Sequence, residues 1–287
     1  MNDYAYINGS FVPREEAVIS PLDRGYLYGD GFFETARIVA KRPFRLNRHI
    51  KRLNDSCLET GWGHAFRADE IEGVVTQLIA RNEVTEGYLR ITASRGLHLG
   101  TLTVLEASDP TLFIEVRAMD LPSLDGPPPF VLARASFRRD PTSPLVHHKS
   151  LSYQANLLAL AEGRVRDADE VYFLNSRGEL TEGAITNLFF VRDGAVHTPD
   201  VRCGLLPGIT REAVMELCQK AAVACKTGVY KEEDMYAADE VFCTNSLRCV
   251  IPVKAILETP HKKLDEHTVT HKLQELYAGL VRAECGG

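Results

Sequence analysis

Apolar side chains recur at helical spacing in some segments of the chain and follow strand-like patterns in others. The stretch FRLNRHIKRLNDSCLETG predicts a helix that stops at Gly61, because one face collects Leu46, His49, Ile50, Leu53 and Cys57. DEIEGVVTQLIARN predicts a second amphipathic helix, and YLRITASRG and TLFIEVRAM predict strands rich in β-branched and aromatic residues. YAYINGSFV predicts a hairpin that turns at Asn8 and Gly9.

The pattern breaks at LPSLDGPPP, residues 121–129, where four prolines and a glycine exclude both a helix and a strand. We predict a small domain over 1–120, a linker over 121–129 and a large domain over 130–287. The large domain starts with a strand in FVLARASF and a helix that has Lys149 at its entrance. EVYFLNSRGELTEG and NLFFVRDGAVHTP predict hairpins, followed by a helix from about Arg211, a strand in EVFCTNS and a C-terminal helix. Strands and helices mix in both halves, which predicts two α/β or α+β domains with a cleft between them and no internal repeat.

Composition narrows the class of protein. The chain has 287 residues, 45% of them hydrophobic and 25% charged, with a formal net charge of −6 and no block of like charge. This balance is typical of a soluble globular protein and disfavours a nucleic-acid or membrane surface. The stretch MNDYAYINGSFVPREE has no signal pattern, and the seven cysteines are scattered without a CxxC pair. We therefore expect a cytoplasmic protein with neither a disulfide framework nor a metal site.

The stretch SPLVHHKSLSYQANLLALAEG places Lys149 beside the apolar run Leu157, Leu158 and Leu160. An amine against an apolar wall is poorly solvated, so its neutral, nucleophilic form is favoured, and such an amine can form a Schiff base with a carbonyl. The alternative is a surface lysine whose head reaches water.

Two stretches could bind an anion. In GLLPGITREAVMELCQKAA, Pro207 and Gly208 predict a tight turn, and Thr210 can cap a helix whose first N–H groups face outward. In RPFRLNRHIKRLNDSC, Arg52 shares a helical face with Arg45 and Arg48, and a guanidinium can grip a phosphate with two donors. The alternatives are an ordinary helix start and a solvated basic face.

Two further stretches complete a candidate cofactor site. Glu182 precedes an apolar strand and is either a turn residue or a buried partner of a cation. Another apolar strand ends with Thr244, Asn245 and Ser246, whose polar groups suit a small ligand or a turn. Pyridoxal phosphate needs a Schiff-base lysine, an acid for its ring nitrogen and a phosphate cup. Lys149, Glu182, and the set of Arg52, Gly208–Thr210 and Ser246 would supply them.

The chain resembles the class IV aminotransferases, the fold-type IV pyridoxal phosphate enzymes. The resemblance rests on DRGYLYGDGFFETARI, HIKRLNDSC, HKSLSYQANLLA, LTEGAITNLFF, LPGITRE and ADEVFCTNSLRCVIPV, in order from about residue 5 to residue 255. It implies a small N-terminal and a larger C-terminal α/β domain with the cofactor in the cleft, and a homodimer. Known members are branched-chain aminotransferases, D-amino acid aminotransferases and 4-amino-4-deoxychorismate lyases.

The resemblance also assigns roles. Lys149 matches the Schiff-base lysine, Glu182 the partner of the pyridine nitrogen, and Tyr153 the tyrosine near the cofactor's phenolic oxygen. The matching phosphate set comprises Arg52, Gly208, Ile209, Thr210, Ser246 and Leu247.

The substrate side is less closely defined by the same resemblance. YGDGFFE suggests Tyr28 and Glu34, GYLRITASRG suggests Tyr88 and Arg90, and SRGLHLG offers Arg95 and His98 as a carboxylate trap, at a spacing that differs from the D-amino acid enzymes. We predict a transaminase that acts on branched-chain or D-amino acids and 2-oxo acids. RRDPTSPL and TNSLRCVIPV favour the alternative, a lyase that eliminates pyruvate from aminodeoxychorismate, and a third hypothesis is a non-catalytic pyridoxal phosphate binder.

Overall fold

The computed structural model describes residues 3–97, 100, 102, 109–258 and 261–286. It contains two compact units. Unit 1 comprises Met1–Leu121, His148–Tyr153 and Val281–Gly287, and unit 2 comprises Pro122–His147 and Gln154–Leu280. The segment 148–153 therefore groups with unit 1, although it lies within the range predicted as the large domain. The predicted domain limits themselves stay a prediction.

Unit 1 is built on a six-stranded antiparallel sheet with the strand order β2-β1-β6-β5-β3-β4. Its strands are β1 (Tyr4–Ile7), β2 (Ser10–Pro13), β3 (Gly31–Val39), β4 (Arg42–Pro43), β5 (Gly87–Ser94) and β6 (Thr111–Ala118). The predicted hairpin is confirmed, since Ile7 pairs with Ser10 and both turn residues, Asn8 and Gly9, have positive φ angles of 44° and 92°. Turns of this kind match the right-handed twist of the strands that they join.

Three helices accompany this sheet: α1 (Arg24–Tyr28), α2 (Leu46–Glu59) and α3 (Ala68–Arg81). Both predicted amphipathic helices are confirmed, because α2 buries Ile50, Leu53 and Cys57 while α3 buries its own apolar positions. These side chains form one core with sheet residues such as Phe32 and Ile91. A single 3₁₀ turn, Arg14–Glu16, follows β2.

The predicted position of Lys149 at a helix entrance is wrong. The helix α4 begins only at Gln154, and the preceding segment forms an antiparallel bridge to β3 between Ser150 and Phe32. The Phe33 amide donates to the Lys149 carbonyl at 2.9 Å, and the Leu151 amide donates to the Gly31 carbonyl at 2.8 Å. Pairing with a strand overrides the local helical pattern, and it fixes the Lys149 backbone directly beside β3.

Unit 2 contains a nine-stranded mixed sheet with the order β12-β11-β10-β13-β14-β7-β8-β9, in which β15 also pairs with β14. Its strands are β7 (Phe130–Arg134), β8 (Glu170–Leu174), β9 (Leu180–Gly183), β10 (Asn187–Arg192), β11 (Ala195–Pro199), β12 (Cys225–Gly228), β13 (Glu240–Asn245), β14 (Cys249–Ile256) and β15 (Lys262–Lys263). The aromatic and aliphatic side chains of β8, β10, β13 and β14 fill its core.

The helices that belong wholly or mainly to unit 2 are α4 (Gln154–Val165), α5 (Ile209–Lys220), α6 (Glu232–Tyr236) and α7 (Thr268–Cys285). A 3₁₀ turn, Val201–Cys203, precedes α5. The helix predicted from about Arg211 is confirmed as α5, which begins two residues earlier, at Ile209. Within the ranges described above, none of the helices is both long and apolar enough to cross a bilayer.

Two nine-residue stretches of unit 2 are similar, although the sequence was not expected to contain an internal repeat. ADEVYFLNS at residues 168–176 and ADEVFCTNS at residues 238–246 carry β8 and β13 of the same sheet. The Asp169 side chain accepts from the Val131 amide, and the Asp239 side chain accepts from the Asp193 amide. The two strands pair differently, since β8 is parallel to β7 and β13 is antiparallel to β10.

Candidate active site

The Lys149 amine lies against aromatic rings of unit 1. Its Nζ is 4.4 Å from the centroid of the Phe33 ring and 5.6 Å from that of the Tyr153 ring. The two rings meet edge to face, with their centroids 5.3 Å apart. The predicted wall of leucines is wrong, since Leu157 and Leu158 are both 59% exposed. The apolar surroundings of Lys149 come from Phe33 and Tyr153 instead.

Phe33 is a site residue that the sequence analysis did not single out. Its ring also contacts the Arg90 guanidinium, whose central carbon is 4.1 Å from the ring centroid. Burial lowers the pKa of Arg90, and the charge of Glu115 opposes that effect. The Tyr88 hydroxyl is directed to Glu115 as well, at 3.4 Å. Phe33 thus connects the predicted lysine with the predicted Tyr88–Arg90 pair, and only its position in YGDGFFE could have indicated this.

Arg52 binds Glu34 through two parallel hydrogen bonds. Its Nε donates to Oε1 and its Nη2 donates to Oε2, both at 2.7 Å. His49 Nδ1 lies 2.6 Å from Oε2 of the same carboxylate, and both Glu34 and His49 are buried. Burial alone would raise the pKa of Glu34, but the Arg52 charge and the bonds from His49 and Arg52 outweigh it and lower that pKa to about 2. Burial also lowers the pKa of His49, against the effect of Glu34.

Of the remaining predicted substrate residues, Arg95 is bound within unit 1. Its Nε donates to Asp30 at 3.0 Å, its Nη2 donates to the Thr60 carbonyl at 3.2 Å, and its guanidinium lies over the Trp62 ring. Tyr28 ends α1 and is 46% exposed. His98 lies outside the described residues. The substrate roles of these residues stay predictions.

Glu182 belongs to a row of polar side chains that crosses three strands of unit 2. It pairs with Asn187 of β10, which pairs with Thr244 of β13, and directly paired residues project from the same face of a sheet. The carboxylate accepts from Arg139 Nη1 on Oε1, and from Asn187 Nδ2 and the Leu206 amide on Oε2, each of the latter at 3.1 Å. Glu182 is 6% exposed, so it is a buried partner of a cation and not a turn residue.

Asn187 joins this acid to the predicted phosphate cup and was also missed. Its Nδ2 donates to the Leu206 carbonyl at 2.9 Å, and a Cβ on Gly208 would lie only 2.0 Å from its Oδ1. Glycine is therefore required at position 208, where the backbone passes Asn187 so closely.

Gly208, and not Thr210, is the N-cap of α5, and glycine has no side chain that could cap the helix. The first amides of a helix have no acceptor inside it, so those of Ile209 and Thr210 can bind an anion. Both side chains are buried, and Thr210 Oγ1 lies 3.5 Å from the Tyr277 hydroxyl. Only the backbone of these two residues suits a phosphate.

The turn after β13 carries Ser246 and Leu247. Asn245 Oδ1 accepts from the amides of Leu247 at 3.1 Å and Arg248 at 2.8 Å, which fixes the turn. The sequence is compatible with either a ligand site or a plain turn at this position. The structure shows a turn in which Ser246 is half-buried.

A family match decides what the chain is. The family described as amino-transferase class IV matches residues 31–256, which include the lysine segment, the Glu182 row and the start of α5. The chain belongs to the class IV amino-transferases. The resemblance drawn from the sequence motifs is thereby confirmed.

The class IV chain is similar along its whole length to proteins of different specificity. A Methanocaldococcus jannaschii protein, provisionally named a branched-chain-amino-acid aminotransferase, is 32% identical over 95% of this chain and 94% of its own. The aminodeoxychorismate lyase of Bacillus subtilis is 31% identical over 95% and 92%. The branched-chain amino acid aminotransferase of Thermoproteus uzoniensis, solved with norvaline, is 27% identical and superimposes with a TM-score of 0.90 over 98% of this chain and 95% of that one. The predicted α/β fold of the family is confirmed.

A further solved structure bears on the cofactor. It is a branched-chain amino acid aminotransferase with pyridoxamine 5'-phosphate, 28% identical, and it superimposes with a TM-score of 0.84 over 100% of this chain and 97% of that one.

The side chains of this class IV protein fit a phosphorylated pyridine aldehyde. Two buried polar atoms near Glu182 and Asn187, Arg139 Nη2 and Thr244 Oγ1, have no hydrogen-bond partner among the described residues. Such unsatisfied atoms suit a binding site for a polar ligand. A buried glutamate bound by an arginine, the backbone amides at the start of α5 and an amine on aromatic rings are the kinds of group that a pyridine nitrogen, a phosphate and an aldehyde require. No cluster of His, Cys, Asp and Glu side chains in the described part of the chain could hold a metal ion.

The Glu34–Arg52 pair predicts a pH-dependent stability. Because the pKa of Glu34 is lowered from 4.5 to about 2 in the folded protein, its contribution is present above pH 4.5 and is lost as the pH falls toward 2. That contribution is roughly 3 kcal/mol. Glu34→Gln should therefore lower the free energy of unfolding near neutral pH and flatten its dependence between pH 4.5 and 2, as measured by urea unfolding of the cofactor-free protein.

Glu72→Gln is the matched control for this prediction, since Glu72 is an exposed glutamate on α3. It should leave the pH dependence as in the wild type. If the free energy of unfolding of Glu34→Gln depends on pH between 4.5 and 2 as it does in the wild type, this ion pair adds nothing to the stability of unit 1.

Proposed function

We propose that this class IV protein is a pyridoxal-phosphate-dependent aminotransferase that moves an amino group between an amino acid and a 2-oxo acid. The observation that carries the proposal is the placement of Lys149, whose amine lies on the rings of Phe33 and Tyr153 in a segment bonded to β3. The family match and the relatives named for aminotransferase activity support it.

The residues proposed to bind the cofactor are Lys149, Tyr153 and Glu182 for its aldehyde and ring. The proposed phosphate set comprises Arg52, Gly208, Ile209, Thr210, Ser246 and Leu247. When bound, pyridoxal phosphate supplies an electrophilic carbon for an amine and a ring that stabilises a carbanion. Arg52 and the amides of Ile209 and Thr210 would bind the phosphate with charge-assisted hydrogen bonds.

Lys149 and Glu182 would then control two protons. Lys149 Nζ would take the proton from the α carbon of the substrate and return it as a general acid. Glu182, which accepts hydrogen bonds from Arg139, Asn187 and the Leu206 amide, would keep a proton on the ring nitrogen. Phe33 and Tyr153 would restrict the movement of the amine and exclude water from one side of it.

For the substrate carboxylate we propose Arg90, supported by Tyr88. The Arg90 guanidinium contacts the same Phe33 ring as Lys149 Nζ, so unit 1 places a cation near the amine. Glu34 and Arg95 instead bind Arg52 and Asp30. A panel of L- and D-amino acids, each with a 2-oxo acid acceptor, tests the function: one class of donor, branched-chain or D-, should yield its keto acid and an equal amount of aminated acceptor. The absence of transfer from every donor would contradict it.

Arg52→Ala should weaken cofactor binding more than it slows the cofactor-saturated enzyme, because the phosphate is remote from the bond that breaks. A charge-assisted arginine contact is worth about 1.5–3 kcal/mol, or roughly ten- to a hundredfold in affinity. Titration of cofactor into the apoprotein measures this loss. Arg48→Ala is the matched control, since Arg48 is an exposed arginine on the same helix.

A double variant separates phosphate binding from the ion pair with Glu34. Arg52→Ala leaves a buried carboxylate without its cation, which is itself strongly destabilising. Adding Glu34→Gln should restore much of the stability of the apoprotein and none of the cofactor affinity. If the double variant binds the cofactor as tightly as the wild type, Arg52 does not bind the phosphate and serves only as the partner of Glu34.

A second candidate function is the elimination of pyruvate from aminodeoxychorismate. It is favoured by the 31% identity to the Bacillus subtilis lyase, which nearly equals the identity to the Methanocaldococcus protein. The same lysine would serve both reactions. Pyruvate release from aminodeoxychorismate without an added acceptor would establish the lyase, and amino transfer that strictly requires an acceptor would establish the transaminase.

We also propose a cytoplasmic homodimer, as the family resemblance implies. Exposed apolar side chains on each unit support self-association, notably Val18 and Tyr26 in unit 1 and Leu157 and Leu158 in unit 2. Light scattering after size-exclusion chromatography should give twice the mass of the 31.9 kDa chain. A monomeric mass at micromolar concentration would contradict the dimer.

A further inference from the structure

Arg139 binds Oε1 of Glu182. Its Nη1 donates to that oxygen, while Asn187 Nδ2 and the Leu206 amide donate to Oε2. Arg139 and Glu182 expose 16% and 9% of their side chains, so the ion pair is largely removed from water. Arginine stays charged over the whole physiological pH range, and its charge is therefore a fixed property of this site.

Both the backbone and the guanidinium of Arg139 are fixed. The Arg139 amide donates to the Leu174 carbonyl at 3.0 Å, and the Ser176 amide donates to the Arg139 carbonyl at 2.9 Å, so the backbone is bonded to the end of β8. The guanidinium lies over the Phe173 ring, with its central carbon 4.3 Å from the centroid. An arginine fixed in this way can orient the carboxylate that it binds.

The neighbouring Arg138 does not share this role. It is exposed, and its Nη1 donates to the Asn175 carbonyl at 3.1 Å. The two adjacent arginines of RRDPTSPL thus differ in burial and partner, which makes Arg138 a matched control.

Arg211 is a second buried guanidinium whose charge acts on Glu182. Burial lowers the pKa of Arg211, and the charges of Cys225, Asp200 and Glu182 oppose that effect. Its Nε and Nη2 nevertheless donate to Thr198 Oγ1 and to the Pro199 carbonyl. Arg139, by contrast, donates directly to the Glu182 carboxylate.

We propose that Arg139 is a positioning residue that acts through Glu182, holding it oriented and ionised so that the shared proton stays on the ring nitrogen of the cofactor. A proton between a carboxylate and a pyridine nitrogen goes to the stronger base. A cation bound to the carboxylate weakens that base, because it stabilises the ionised form. This inference rests on the proposed function, and it adds a residue outside the cofactor-binding set.

Affinity for two cofactors tests the inference without any turnover. The probes are pyridoxal phosphate and its analogue in which a C–H replaces the ring nitrogen, each titrated into apoprotein. The wild type should prefer pyridoxal phosphate, since the analogue cannot offer an N–H to Glu182. Arg139→Gln should reduce this preference by about tenfold or more, the scale on which an adjacent arginine changes the proton affinity of a carboxyl. Arg138→Gln should leave it unchanged.

A double-mutant cycle tests whether Arg139 acts through Glu182. In a Glu182→Gln background, Arg139→Gln should change the preference little further, because the two residues act as one unit. Arg139→Lys keeps the charge without the planar fork, and we expect an intermediate preference. This variant decides the question if Arg139→Gln does not fold.

The outcomes separate this inference from the proposed function. A wild type that binds pyridoxal phosphate and its analogue equally well, or neither of them, would contradict the role of Glu182 and with it the proposed function. A wild type that discriminates, with Arg139 variants that discriminate equally well, would overturn the role of Arg139 alone.

Discussion

Lys149→Ala should abolish turnover and the covalent attachment of the cofactor. A general acid–base group alone contributes roughly 10²–10⁴-fold to a rate, and Lys149 is proposed to be the attaching amine as well. The backbone of residues 149–151 is bonded to β3 through main-chain atoms, so truncation of the side chain should leave unit 1 folded. Transamination assays and the visible absorbance of protein freed from unbound cofactor measure both effects.

Lys51→Ala is the control for the loss of a lysine. Its side chain is 65% exposed and pairs with Asp55 on the surface of α2. This variant should keep wild-type rate and absorbance. Turnover by Lys149→Ala within tenfold of the wild type would show that another group moves the proton, and the interpretation of Lys149 as a surface lysine would return.

Glu182→Gln should slow the enzyme by on the order of a hundredfold or more, the scale of a lost catalytic charge contact. A neutral amide cannot keep the ring nitrogen protonated, so the developing carbanion loses its stabilisation. The structure adds a second consequence. The two carboxylate oxygens accept hydrogen bonds from Arg139, Asn187 and the Leu206 amide. Because a glutamine amide has only one oxygen, at least one of these donors would lose its acceptor. The rate should be measured at saturating cofactor, and unfolding should be measured separately.

Glu240→Gln is the matched control for this substitution. Glu240 is 4% exposed and also accepts three hydrogen bonds, from the Val269 amide and from the amide and hydroxyl of Thr270. It occupies the position in ADEVFCTNS that corresponds to Glu170 in ADEVYFLNS. We expect it to lose stability without a comparable loss of rate per folded molecule. A Glu182→Gln variant that behaves like Glu240→Gln would reduce Glu182 to a structural role.

Local patterns predicted the elements whose formation depends on nearby residues. The Asn8–Gly9 hairpin follows from turn residues that accept positive φ angles, and α2 follows from the spacing of Ile50, Leu53 and Cys57. The environment of Lys149 could not be predicted in this way. Its helix-like sequence is overridden by strand pairing with residues more than a hundred positions earlier, at Gly31 and Phe33. Strand pairing at that separation leaves no periodic pattern in the sequence.

The candidate site shows the same division. Motif resemblance found Lys149, Glu182, Arg52 and the turn at Gly208, because each lies in a contiguous stretch. The side chains that hold them come from elsewhere: Glu34 on Arg52, and Asn187 and Arg139 on Glu182. A charged residue in RRDPTSPL or YGDGFFE has many conceivable partners, and only the register of the strands selects one. The pairing of Glu34 with Arg52 was therefore not predicted, and the substrate role of Glu34 stays a prediction.

Borohydride reduction of the cofactor-loaded protein, followed by peptide mapping, tests the central claim most directly. Reduction fixes the cofactor on whichever amine carries it. We expect a single pyridoxyl label on Lys149, in the peptide that spans HHKSLSYQ. A label on any other lysine, or no label on protein that has taken up the cofactor, would contradict it.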